Sequence, residues 1–246
     1  MADQRPVALI TGSAKRIGAG IARQLYANGY DLALHYRNSA TEMQALAAEL
    51  EATRPGGVLT LRADLSEFDR LPEIVANTVG RFGRLDALVN NASAYYATPI
   101  GQTTPQQWDE LFASNARAPF FLSQAAAPHL KTARGAIVSI ADIYAERPLP
   151  QHTVYCMAKA ALVMMTKSLA RELGPEVRVN AIAPGNILWS DNPVKAETPE
   201  LVRERTALQR QGSPDDIAGT VRWLLTGNTY VTGQVLAIDG GRSVFI

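Results

Sequence analysis

A single cysteine, Cys156, stands among 246 residues, so no internal disulfide can form and the framework of a small secreted domain is excluded. Histidine is nearly as scarce. His35, His129 and His152 are scattered, none spaced from another or from Cys156 as zinc ligands are, and no metal site is expected. Neither sign of charge dominates: 24 Lys and Arg face 23 Asp and Glu, a net +1, with no run of like charges. That balance argues against a nucleic-acid surface. No segment approaches the roughly 20 uninterrupted apolar residues of a membrane span. The opening "MADQRPVALITG" holds an apolar run of only about five residues before Gly12, too short for a signal peptide. A cytoplasmic protein without membrane or nucleic-acid partners is expected.

What is present is ordinary globular material, 47% hydrophobic and 19% charged, in a regular order. Short apolar runs recur at 7–11, 31–36, 59–65, 87–92, 136–141, 178–183 and 234–239. Most are continuous rather than alternating, as strands covered on both faces must be. Helix-length stretches separate them, such as "GIARQLYANG", closed by Gly29, and "TEMQALAAELEATRPGG", stopped by Pro55 and two glycines. Alternating β and α elements on short connections predict a doubly wound α/β fold: one domain over 1–246, a seven-stranded parallel sheet with helices on both faces. No repeat or linker divides the chain.

Ligands of such sheets lie beyond the carboxyl ends of the strands, so polar residues just after each run are the candidates. The first run is followed by "TGSAKRIGAG", with Gly12, Lys15, Arg16 and Gly18. Glycines there let the backbone turn tightly and approach a pyrophosphate resting on the helix N-terminus. Such spacing also occurs in plain strand–helix turns; its place in the first β-α unit favours the phosphate. After the second run, where an acid would bind the ribose 2′-hydroxyl of NAD, the sequence reads "HYRNS", with Arg37, Asn38 and Ser39. Two guanidinium groups and a hydroxyl suit a 2′-phosphate, which predicts NADPH. The competing reading makes Arg37 a solvated strand-end residue. Asp64, Asn91, Ser93, Asp142 and Pro184 to Asn186 follow the later runs.

Tyr155 and Lys159 stand four apart in the long helical pattern "TVYCMAKAALVMMTKSLAREL", on one face. An ammonium beside a phenol favours the phenolate and is expected to lower its pKa toward that of a working acid/base. Asp142, at the end of the apolar "IVSIA", is the odd residue. It reads as an acid sharing a proton with Tyr155 or accepting hydrogen bonds from a substrate. The alternative is a capping carboxylate with Ser139 in the functional place, although strand alternation puts 139 and 142 on opposite faces. Cys156 points about 100° away from Tyr155 around the helix and reads as inert packing.

Taken together and in order, "TGSAKRIG", "NNAS", "SNARAPFF", "YCMAK" and "RVNAIAPG" resemble the short-chain dehydrogenase/reductase family over essentially the whole chain. The resemblance implies a Rossmann-type NAD(P)-dependent oxidoreductase with Tyr155 as proton donor. Lys159 would hold the nicotinamide ribose and lower the tyrosine's pKa, while Asn115 supports a water relay to it. On the same ground cofactor contacts fall to Gly12, Lys15, Arg16, Ile17, Gly18, His35, Arg37, Asn38, Ser39, Asp64, Leu65, Asn91, Ala92, Tyr155, Lys159, Pro184 and Gly185. A homotetramer is implied too, with the final "DGGRSVFI" near a subunit interface.

Two departures narrow the resemblance. Most members carry glycine where Arg16 stands, and serine thirteen residues before the tyrosine, where Asp142 stands. "AKRIG", "HYRNS", "NNASAYYATP" and the Asp142-to-Tyr155 spacing resemble the pteridine reductases and the bacterial dihydromonapterin reductases. That subgroup implies NADPH-dependent reduction of a dihydropterin C=N bond (dihydrobiopterin or dihydromonapterin, with dihydrofolate open). Tyr95 would stack the pterin, Ser93 would hydrogen-bond it, and Arg16 would touch both phosphate and pterin; loop packing is the competing role for Tyr95 and Tyr96. "PGNILWSDNP" departs from relatives with Ser or Thr at Asn186 and Ile187. A substrate lid is expected around 187–210, in which Trp189 either closes over the pterin or packs on the body. Carbonyl reduction of oxoacyl thioesters and a non-catalytic NADPH sensor are the alternatives.

Overall fold

The computed structural model describes residues 5–187 and 197–245. Of the segment expected to form a lid, residues 187 and 197–210 are described, and Trp189 lies outside the described residues. All seven apolar runs form strands: β1 (Val7–Ile10), β2 (Asp31–Tyr36), β3 (Val58–Arg62), β4 (Ala87–Asn90), β5 (Ala136–Ile140), β6 (Arg178–Pro184) and β7 (Val235–Ile238). They make one parallel sheet in the order β3-β2-β1-β4-β5-β6-β7. The chain winds outward from β1 to β3, then returns to β4 on the other side of β1. The crevice of the sheet opens at that reversal, above the carboxyl ends of β1 and β4.

Successive strand residues feed two different cores, which is why the runs read as continuous. Ala8, Ile10, Leu32 and Leu34 enter one core with Ile21 and Leu25 of α1 (Arg16–Ala27), Leu46 of α2 (Ala40–Thr53) and Ile217 and Val221 of α8 (Pro214–Arg222). Val7, Leu9 and Ala33 face the other way, toward Ile74 of α3 (Leu71–Phe82), Leu122 and Leu130 of α5 (Ala118–Ala133) and Leu169 of α6 (Thr153–Leu173). Each fully buried Leu or Ile contributes about 1.5–3 kcal/mol of transfer free energy. The expected Rossmann-type α/β fold is the one found.

Smaller elements carry site residues. α4 (Pro105–Phe112) opens on a capping box, in which the Thr104 side chain accepts from Gln107 N–H and Gln107 reaches back to the Thr104 N–H. It runs without a break into a π turn, Ala113–Arg117, and then α5. Past β6, Thr198 caps the short α7 (Pro199–Glu204), and Ser213 closes a second capping box at α8. Between those helices the chain is fastened to the sheet ends: Leu208 N–H donates to Gly240 O (3.0 Å) and Gly212 N–H to Asn186 O (3.0 Å).

Candidate active site

The loop between β1 and α1 is built around glycine. Gly12 has φ +61, and a Cβ there would stand 2.8 Å from Ala92 Cα. A Cβ on Gly18 would meet Gly12 O and stand 2.7 Å from Asn91 Nδ2. The loop is also pinned from two neighbouring strands, β2 and the end of β4. Gly12 N–H donates to His35 Nδ1 (3.2 Å), and Asn91 Nδ2 donates to Thr11 O (2.8 Å) and Gly12 O (2.9 Å). The Thr11 hydroxyl accepts from the N–H groups of Asn91 (2.9 Å) and Ala92 (3.0 Å). Because His35 Nδ1 accepts, Nε2 carries the proton, 3.1 Å from Ala63 O. Burial lowers the His35 pKa, which keeps the ring neutral and this pattern intact.

A cleft of about 450 Å³ lies against that loop. Gly12, Lys15, Arg16, Ile17, Gly18, His35, Arg37, Asp64, Leu65, Asn91, Ala92 and Ser93 line it. α1 points its N-terminus there, with no acid in its first turn and no capping side chain, an end of the helix suited to an anion. Arg16 sits at φ +54, a conformation glycine adopts freely and arginine only at a cost of about 1–2 kcal/mol. Glycine would be unstrained there, so this chain carries the guanidinium against backbone preference. Arg37 stands 3.7 Å from Asp64, a carboxylate supplied by the end of β3 rather than β2. Asn38 and Ser39 lie beyond the lining of the cleft, Ser39 just before α2 without capping it. Pro184 ends β6, and Gly185 N–H donates to Ile238 O (3.1 Å) where a Cβ would strike Asp239.

Asp142, Tyr155 and Lys159 converge at the end of β5. The Tyr155 hydroxyl donates to Asp142 Oδ2 at 2.6 Å, and Asp142 Oδ1 accepts from Tyr144 N–H at 2.9 Å. The two sequence readings of Asp142 thus meet in one side chain: one oxygen caps the turn Ile143–Ala145, the other holds the phenol. Ser139 is fully buried, and its hydroxyl has no hydrogen-bond partner among the described residues. Lys159 Nζ donates to Ile140 O (2.8 Å) and lies 5.7 Å from the Tyr155 ring centroid.

The electrostatics correct one expectation. Tyr155 is not lowered by Lys159: burial first, then the charge and hydrogen bond of Asp142, hold its pKa well above the usual phenol value. A carboxylate in direct contact outweighs an ammonium placed farther off. Burial also raises Asp142, against the opposing pull of Tyr144 N–H, the Tyr155 hydroxyl and Lys159, and lowers Lys159 to about 8. The pair is therefore built to keep a proton between carboxylate and phenol, available to a neighbour that needs one.

Tyr95 presents its edge to Tyr155 (centroids 4.9 Å apart) and stacks on His152 (4.8 Å, 13°). Its ring remains about half exposed. Its strand of loop is tied to the start of α6 by Thr98 N–H donating to Gln151 O (2.6 Å). Tyr96 turns the other way, its hydroxyl donating to Glu110 (3.0 Å), and takes the packing role. Ser93 donates to Asn115 Oδ1 (2.7 Å), while Asn115 Nδ2 donates to Ala94 O and Leu111 O (both 2.9 Å). Asn115 thereby fixes the 93–94 turn from the π segment. Cys156 is a buried free thiol. His152 and the π segment had no sequence signal of their own; a stacked His is visible only once two loops meet. Among the described residues, no group of three or more His, Cys, Asp or Glu could hold a metal, and no helix is long and apolar enough to cross a membrane.

Residues 12–243 match a family model described as enoyl-(acyl carrier protein) reductase. The chain is 36% identical to pteridine reductase 1 of Leishmania tarentolae over an alignment of 281 positions, gaps included, covering 97% of this chain and 96% of that protein. It is 38% identical to the "Granaticin polyketide synthase putative ketoacyl reductase 2" of Streptomyces violaceoruber over 247 residues, covering 98% and 97%. A 3-oxoacyl-[acyl-carrier-protein] reductase of Staphylococcus epidermidis is 33% identical over 241 residues, covering 95% and 97%.

Proposed function

The chain belongs to the short-chain dehydrogenase/reductase family of nicotinamide-dependent oxidoreductases, and from that premise we propose that it is an NADPH-dependent pteridine reductase. The observation that carries this reading is the 2.6 Å bond between the Tyr155 hydroxyl and Asp142. A serine at that place offers a neutral donor, sufficient for a carbonyl. A carboxyl group can instead accept from the N–H and amino groups that edge a pterin, and can pass a proton to Tyr155.

The pocket residues fit a phosphorylated dinucleotide. The uncapped start of α1, with Lys15 and Arg16 beside it in the cleft, suits a pyrophosphate. Arg37 in place of an acid supports a 2′-phosphate. NADPH would be held by these residues and supply a hydride to the C=N carbon of a dihydropterin. The chain's own groups do the rest. Tyr95 offers a half-exposed face for the flat ring, and Arg16 a positive charge toward its oxygen. Ser93 faces the cleft edge, with Asn115 accepting its hydrogen bond. Tyr155 gives the proton and is resupplied by Asp142; Lys159 keeps a positive charge below them. A homotetramer forms part of the proposal, as does a cytoplasmic place of action.

A second reading, reduction of oxoacyl thioesters, is favoured by the ketoacyl and oxoacyl reductases of comparable identity. One panel separates them: NADPH or NADH oxidation with dihydrobiopterin, dihydromonapterin, dihydrofolate and an acetoacetyl thioester. Turnover with dihydropterins and NADPH is expected; turnover with the thioester alone overturns the reading, and preference for NADH overturns its cofactor half. Asp142→Ser should cut pterin turnover about 100-fold, the size of a lost general acid, with NADPH affinity changed less than about twofold.

A further inference from the structure

Arg242 is a cation the reaction as drawn does not use. It opens the 3₁₀ turn Arg242–Val244 after β7, behind Gly240 (φ +64) and Gly241 (φ +82). Asp239 fastens the turn, accepting from Gly241 N–H (2.9 Å) and Ser243 N–H (2.7 Å). The two glycines send the Arg242 side chain inward, where it is only 4% exposed. Val244 and Phe245, by contrast, face outward. The end of the chain was expected at an interface between subunits; part of it enters this one.

The guanidinium is poorly compensated. Nη2 donates to Glu197 Oε1 at 2.6 Å, but among the described residues Nε and Nη1 are buried with no acceptor in hydrogen-bond geometry. Leaving such donors unmet costs about 1–3 kcal/mol each, and an apolar pair of similar volume would stabilise the fold more. Glu197 is held in turn. Its other oxygen accepts from Asn186 Nδ2 (3.1 Å), and Asn186 Oδ1 accepts from Gln211 Nε2 (2.6 Å). Beside the guanidinium lies the Tyr144 phenol, whose pKa burial raises and Arg242 pulls back. Tyr144 N–H is the group that holds Asp142 Oδ1.

We infer that Arg242, braced by Glu197, is a positioning residue: it seats the Tyr144 ring so that the turn Ile143–Ala145 aims the Asp142 carboxylate at Tyr155. The inference rests on the reading of Asp142 and Tyr155 as the acid pair. Fold stability does not require a charged, half-satisfied side chain there. Orientation of a carboxylate to within hydrogen-bond reach of a phenol does require a fixed turn, and misplacement by about 1 Å can cost 10²-fold in rate.

A double-mutant cycle on kcat tests it, with Arg242→Met, Tyr144→Phe and the double variant. Arg242→Met should lower kcat about tenfold while the dissociation constant for NADPH stays within about twofold. Tyr144→Phe should fall similarly, and the double variant no further than the worse single, because both act through one contact. Arg242→Lys should recover part of the loss. Additive effects, an unchanged kcat, or an equal loss of NADPH affinity overturns the inference. Should Arg242→Met fail to fold, Glu197→Gln replaces it in the same cycle with the same criteria. Wild-type turnover is scored first: with a thioester substrate and no pterin turnover the pteridine reading fails, yet a coupled cycle on that substrate keeps the positioning role. No turnover with any substrate overturns both.

Discussion

Lys159 is fully enclosed, and its pKa falls from 10.5 to about 8 because burial disfavours the ammonium. The unfolded chain therefore binds more protons than the folded one between pH 8 and 10.5, and stability rises with pH across that window. Below pH 8 the whole penalty, about 3 kcal/mol, is present. Lys159→Met removes it and loses one hydrogen bond to Ile140 O, worth about 1 kcal/mol. Urea melts should find the variant about 2 kcal/mol more stable at pH 7, the gain shrinking toward pH 10.5, with turnover abolished. Equal or lower stability at pH 7 would contradict the electrostatic account. At this scale the sequence was readable where residues are close along one helix, as with Tyr155 and Lys159. The direction of the Tyr155 pKa was not, since it depends on the distance to a carboxylate thirteen positions away. Arg242 and Glu197 are 45 positions apart and match no spacing rule, so their pairing emerges only from the folded chain.

The strands were legible because both of their faces are buried and their apolar runs unbroken, and the long helix α6 because its apolar positions recur at helical spacing. The turn after β1 was legible for a different reason: its glycines stand between the first strand and the first helix, where the position rather than the spacing speaks for a phosphate loop. Gly18 shows how tightly that turn is drawn. Alanine is the better helix former by about 1 kcal/mol, yet here its methyl would press on Gly12 O, Asn91 Nδ2 and Ser13 Cα. Two of these are backbone atoms, and the Asn91 amide is held in place by its bonds to Thr11 O and Gly12 O. Gly18→Ala should therefore destabilise by about 1–3 kcal/mol and weaken NADPH binding about tenfold, read by urea melts and fluorescence titration. A neutral or stabilising result would show that the loop yields. The π turn at 113–117 was not legible. It differs from α-helix by the hydrogen-bond partner alone, and no residue type announces that change.

For the whole molecule, strand number and the two covered faces follow from the continuous apolar runs, and the turning point between β1 and β4 from winding rules. Association of copies does not follow from one chain. Its support is a set of large apolar side chains left on the outer faces of α5 and α6: Phe120 at 41%, Met157 at 44% and Met164 at 61% exposure. Patches of that kind on packed helices suit contact with another copy. Light scattering should return about 106 kDa, four times the 26.6 kDa chain; a monomeric mass at micromolar concentration would remove the tetramer from the proposal.

Asp142 divides its two oxygens between architecture and chemistry, and that division has an evolutionary reading. Serine, asparagine and aspartate can all accept the Tyr144 N–H, so the scaffold tolerates any of them at this spot. A lineage could therefore replace the group that faces the phenol by altering one codon, without first having to rebuild the bend on which that codon sits.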